Sequence, residues 1–232
     1  MHGTPYIVSD VMTQTIAAVG RRATFKEIVR LMQDWKVSAL PVIEGEGRVV
    51  GVVSEADLLP KEEFRDSDPD RYTQLRRLSD LAKAGGVRAE DVMTSPALTV
   101  RPDATLAQAA RTMARARVKR LPVVDAVGML QGVVSRADLL KVFLRTDEEI
   151  TKEVRREIVS PPLFPTPASS VRVEVRDGVV KLVGHVRDTS LVPVAARLVR
   201  AVEGVVDVSF DLTRPGEPAQ VPADGREGFR PV

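Results

Sequence analysis

The sequence predicts an α/β (α+β) protein: two pseudo-symmetric β-α-β-β-α repeats that form one module, plus a small α-β-β-α-β domain. Three observations predict it. Laid at an offset of 81, Asp10–Leu59 matches Asp91–Leu140 without a gap and 22 of 50 positions are identical, the mark of an internal duplication whose copies bury equivalent faces against each other. Within each copy the apolar residues change from helical spacing to short strand-like runs. Beyond the second copy, alternating valines flank an Asp–Gly turn, a hairpin signal, and a further helix and strand follow.

Each copy opens with Asp–Val–Met–Thr and a short extended piece ending at Ala23–Thr24 or Ala104–Thr105. Thr24 and Thr105 are N-cap candidates. After them Phe25, Ile28, Val29 and Met32, or Leu106, Ala109, Ala110 and Met113, recur at helical spacing. Two β-rich runs come next, Ala39–Ile43 and Val49–Val53, then Leu121–Val124 and Leu130–Val134, each pair parted by a Gly-containing turn. The second run ends at Ser54 or Ser135, where a second helix begins. Between the copies, 61–87 reads as a charged, solvated loop and a linker helix through Leu75, Leu78 and Leu81 that stops at Gly85–Gly86.

Composition excludes several classes of function. The 232 residues include no cysteine, so disulfides, zinc–thiolate centres and thiolate nucleophiles are ruled out. His2 and His185 are isolated from each other and from any nucleophile, so no catalytic residue or metal ligand is assigned. The opening residues have neither the basic start nor the apolar stretch of a secretory signal. A soluble, cytoplasmic protein is expected. The pI is near 9.0, yet 34 basic residues against 32 acidic ones leave a net charge of only +2, too weak a field to drive nucleic-acid binding.

The most informative motif is Ser–x–x–Asp at the strand-to-helix junctions, Ser54 with Asp57 and Ser135 with Asp138. One reading is a capping box. The other is a ligand site: a helix start attracts phosphate, the serine hydroxyl adds a donor, and the aspartate suits two vicinal ribose hydroxyls. Capping boxes more often use the longer Glu or Gln, so Asp in both copies favours the ligand.

These residues carry a resemblance. DVMT…LPVV…GVVSRADLL resembles a cystathionine-β-synthase (CBS) domain, and Asp10–Leu140 resembles a tandem CBS pair. The resemblance implies a non-catalytic, regulatory protein that takes an adenine nucleotide (AMP, ADP or ATP) or S-adenosylmethionine, and that pairs as a homodimer. It implies Asp57 and Asp138 as ribose acids, Ser54 and Ser135 beside the phosphates, and Thr15, Ile16, Pro96 and Ala97 along the base pockets. Copy two has Val118–Lys119–Arg120–Leu121–Pro122, similar to family members whose basic residue before Leu–Pro grips a phosphate, where copy one has Ser38–Ala39. Which site Arg120 serves is open at this level. Arg111, Arg115 and Arg117 are read as a solvated helix face.

The module is expected over 1–146, with repeats at about 7–60 and 88–146. From 147 to 213 a helix Glu148–Ile158, a hairpin turning at Asp177–Gly178, a helix Val192–Val202 and a strand Val205–Leu212 are expected. DGVVKLVGHV and VEGVVDVSF resemble a BON domain, which implies phospholipid or protein binding and self-association. His185 is read as a strand-face residue. The Pro–Gly-rich, charged tail 214–232 is expected to be disordered.

Overall fold

The computed structural model describes residues 6–65, 77–159, 170–186 and 188–213. They fall into two compact units, one reaching Lys141 and the other starting at Val142.

The first unit opens with a one-turn helix α1 (Val8–Val11) and a two-residue strand β1 (Val19–Gly20). α2 (Phe25–Asp34) begins where expected, because Thr24 N donates to Glu27 Oε2 at 2.7 Å and closes a capping box. Its buried residues, Ile28 and Met32, lie four apart on one stripe. β2 (Ala39–Glu44) and β3 (Arg48–Ser54) pair antiparallel, with β1 parallel to β2. The second helix is broken in two, α3 (Glu55–Leu58) and α4 (Pro60–Glu63). Pro60 has no amide hydrogen to continue the first, so it starts the second. The linker helix α5 (Leu78–Gly85) follows, and Leu75 lies outside the described residues.

Copy two repeats the pattern with α6 (Ala89–Val92), α7 (Leu106–Ala116), the hairpin β4 (Arg120–Val124) and β5 (Leu130–Ser135), and α8 (Arg136–Leu139). Its expected first strand is reduced to one parallel bridge, Val100 to Val123.

The copies exchange their opening turns. Ala89 and Val92 of α6 sit in the core of copy one with Val19, Ile28, Leu40, Val42 and Val53, while Val8 N donates to Ala104 O of copy two at 2.9 Å. Thr94 then bridges to Val52 of β3, and Thr13 to Val133 of β5. Gly51 and Gly132 permit the crossing. A Cβ on Gly51 would strike Met93, and one on Gly132 would meet Met12 Sδ at 2.6 Å.

In the second unit, α9 (Asp147–Val154) runs into a wider π turn at Arg155–Val159. β6 (Val171–Arg176), β7 (Val179–His185), α10 (Val192–Ala201) and β8 (Asp207–Thr213) complete it. β7 is central, antiparallel to β6 and parallel to β8. Ile150, Val154, Val173, Val180, Leu182, Ala195 and Val199 form its core. The hairpin turns through Asp177 (φ 50°) and Gly178 (φ 74°), both left-handed, as a two-residue turn of this hand requires. Asp147 clamps that turn, its two carboxylate oxygens accepting from Asp177 N and Gly178 N at 2.9 Å each. Arg145 reaches across to donate to Glu203 O at 2.8 Å and pairs with Glu153 at 2.7 Å. His185 is an exposed strand residue within 2.8 Å of Thr213 Oγ1. The segment 161–167 and the tail 214–232 lie outside the described residues. Among the described residues no helix is long and apolar enough to cross a membrane.

Candidate functional site

Both Ser–x–x–Asp turns close as capping boxes. Ser54 N donates to Asp57 Oδ2 at 2.8 Å and Ser135 N donates to Asp138 Oδ2 at 2.8 Å. The shorter acid therefore reaches, because the extended backbone at Ser54 (φ −124°) and Ser135 (φ −113°) turns the serine amide toward it. This corrects the inference that Asp in place of Glu argues against a cap. The serine hydroxyls are spent in the same way, donating to Oδ2 at 2.6 and 2.7 Å, so neither proton is left for a phosphate. The first helix amides are taken too. Glu55 N donates to Ser38 O at 3.1 Å and Arg136 N to Lys119 O at 3.0 Å. The serine hydroxyls and the first amide of each helix are thus spent within the fold.

What remains is the other carboxylate oxygen. Asp57 Oδ1 accepts from Lys83 Nζ, and from Thr94 Oγ1 at 3.2 Å. Asp138 Oδ1 pairs with Lys141 Nζ at 2.7 Å. Burial would raise the Asp138 carboxyl, but hydrogen bonds from Lys141 and from the Ser135 hydroxyl and amide outweigh it and hold the acid below its ordinary range.

The exchanged turns decide which residues meet. A cleft of about 270 Å³ joins Ser54 and Asp57 of copy one to Thr94, Ala97 and Leu98 and to the α7–β4 stretch Arg117–Leu121 of copy two. Arg120 thus faces the copy-one motif, and its Nη2 donates to Ser38 Oγ at 2.8 Å. The cleft wall brings three cations, Arg117, Lys119 and Arg120, against two acids, Glu55 and Asp57. Arg117 is exposed, like Arg111 and Arg115, and also lines the cleft. It ends α7 in the left-handed region (φ 56°), which turns it out of the helix row of Arg111 and Arg115 and onto the cleft wall. Lys36 holds the equivalent position after α2 (φ 52°).

Four of the nine expected residues, Ser54, Asp57, Ala97 and Arg120, share this cleft. Pro96 does not. It is exposed and lines a neighbouring hollow of about 420 Å³ with Arg21 and Gly128, which Ala97 also touches. The Thr13–Val133 bridge carries the segment of Thr15 and Ile16 toward β5, on the side of Ser135 and Asp138, where Ala39 stands in place of an arginine. Lys83, Thr94, Arg117 and Lys119 were not expected. Only the last two had a signal, a basic stretch where a helix C-terminus more often has Gly.

The fold and the site define a module of two α/β repeats that exchange their opening turns, with a cleft where copy two closes over the Ser–x–x–Asp turn of copy one. The CBS domain family model matches residues 8–61 and 89–145 and the BON domain model matches 146–214, so the chain belongs to the CBS-domain family, a tandem CBS pair followed by a BON domain. It is similar to an uncharacterized protein of Methanocaldococcus jannaschii, 29% identical over 160 residues, 62% of this chain and 95% of that one. It is also similar to the chloroplastic CBS domain-containing protein CBSX2 of Arabidopsis thaliana, 32% identical over 159 residues, and spans 66% of that protein's length. The crystal structure of CBSX2 in complex with AMP matches at 34% identity with a TM-score of 0.53, covering 60% of this chain and 97% of that one.

Proposed function

We propose that the chain is a non-catalytic regulatory protein whose CBS module binds an adenosyl ligand, AMP, ADP, ATP or S-adenosylmethionine, and relays occupancy to the BON domain or a partner. The observation that carries this reading is the cleft itself, which sets a ribose-competent acid, Asp57, a base-lining segment at Ala97 and a phosphate-competent Arg120 around one volume. The AMP complex of CBSX2 supports it. In the second site Asp138 takes the equivalent role, with Thr15 and Ile16 toward the base. The module is proposed to pair as a homodimer, in the cytoplasm, where such nucleotides are held. The lipid-binding alternative for the BON domain has less behind it. The outward face of its sheet balances Arg172, Arg176 and Lys181 with Glu174, Asp207 and Asp211, leaving little net field for an anionic surface.

Thermal unfolding against AMP, ADP, ATP, S-adenosylmethionine and NAD tests the reading. A ligand at 100 times its dissociation constant stabilises by about 2.7 kcal/mol, a shift of several degrees. Asp57→Ala together with Asp138→Ala is expected to abolish the shift. If no adenosyl ligand moved the transition of the parent chain, and liposomes retained it instead, a membrane-surface adaptor that uses the BON domain for phospholipid and the CBS pair as a dimerisation scaffold would replace this reading.

A further inference from the structure

Asp57 carries two sets of contacts, and only those on Oδ2 belong to the cap. Oδ1 accepts from Lys83 Nζ and Thr94 Oγ1, which fills its two lone pairs. Lys83 lies on α5, 26 residues away along the chain. Its pair with Asp57 is sheltered, the side chains 20% and 12% exposed. In copy two the matching cation, Lys141, comes from three residues along the same turn and is 52% exposed. Lys141 also donates to Val11 O of α1 at 3.3 Å, so what sets the acid of copy one apart is that its cation comes from the linker helix.

The rest of α5 is held by polar contacts. None of its residues is buried, and Leu78 is 61% exposed. At its start Arg77 donates to Glu63 Oε2 at 2.9 Å and lies over the Phe64 ring. Near its end Ala84 O accepts from Lys61 Nζ at 2.9 Å. An eight-residue helix is not stable alone, so α5 persists through its docking.

Resting on the assignment of the cleft to an adenosyl ligand, we propose that α5 is a ligand-displaced strap. A ribose diol reaching Asp57 has to take Oδ1 from one of its two donors. Thr94 is pinned by paired backbone bonds to Val52, 2.8 and 3.1 Å, whereas Lys83 swings on a flexible four-carbon stem. Lys83 yields, and α5 loses its anchor on the cleft. Because such coupling is reciprocal, whatever loosens α5 tightens the ligand.

The test is titration of AMP and of ATP into the full chain and its Lys83→Met variant, with hydrogen exchange over 78–85 in the unmodified chain. The variant is expected to bind at least about five-fold tighter, the low end of usual coupling. Amides of 78–85 are expected to exchange faster when nucleotide saturates the chain, the reverse of the slowing that a ligand packed onto the helix produces. Equal or weaker binding by the variant, or slower exchange, overturns the strap while the nucleotide site stands. Binding of neither nucleotide to either chain removes the site, and the strap with it.

Discussion

At the scale of single residues, Asp57 and Asp138 do two things with one carboxylate, because its oxygens point apart. Oδ2 stabilises the turn and Oδ1 faces the neighbouring cation. For Asp138, whose folded pKa is depressed, the stabilisation is complete above the unfolded value near 3.9 and is lost as pH falls through the folded value. Asp138→Asn is expected to be less stable at pH 7 and to show a shallower acid limb below about pH 4 in urea unfolding; a limb as steep as the parent's would count against this. Arg120 is expected to act on the phosphate alone. Hydrogen bonds to charged groups contribute about 1.5–3 kcal/mol, so Arg120→Ala should weaken AMP or ATP about 10- to 100-fold by calorimetry and leave adenosine unchanged. Arg117 sits where a side chain costs about 1–2 kcal/mol. Arg117→Gly is expected to raise the urea midpoint while weakening ATP, and a loss of both would mean that the arginine is structural.

At the scale of elements, the crossing of each opening turn over the other copy's hairpin is what makes the cleft at Asp57 composite. Gly132 and Gly51 are needed there for space, since the contacts that a Cβ would meet are Met12 and Met93 and the backbone oxygens of Thr13 and Thr94. Gly132→Ala is expected to cost about 1–3 kcal/mol, the usual price of overpacking, read as a lower urea midpoint with unchanged slope. In the second unit the β6–β7 turn is closed by the carboxylate of Asp147 on α9, at the start of the domain. Asp147→Ala is expected to destabilise that unit by about 2 kcal/mol, seen as faster hydrogen exchange in β6 and β7 with no change in the first unit.

At the scale of the whole molecule, the pseudo-twofold relation gives Leu59 and Leu140 equivalent places after the two Ser–x–x–Asp turns. They are 63% and 61% exposed, an apolar cost that a second chain would remove. Leu59→Asp with Leu140→Asp is expected to convert the proposed homodimer to a monomer in sedimentation velocity, with the unfolding midpoint of dilute protein unchanged. A dimer that survived both charges would place its interface elsewhere. The second unit, with its balanced sheet face, is expected to leave anionic vesicles unbound at physiological salt.

The sequence alone determined the duplication, the α-β-β-α-β order of the second unit, the caps at Thr24 and Thr105 and the Asp177–Gly178 turn. Apart from the duplication, these are set by residues within a few positions of one another, where spacing and backbone preference act directly. It did not determine that the second helix would break at Pro60, nor that the opening turns would change places. Tertiary structure decided what spans the copies. It brought Thr94 and Arg120 to Asp57, moved Arg117 onto the cleft wall, left Pro96 in another hollow and set Lys83 on the acid. The physical reason is that strand crossing and helix docking depend on which apolar faces meet and which glycines leave room, and no residue's immediate neighbours record that.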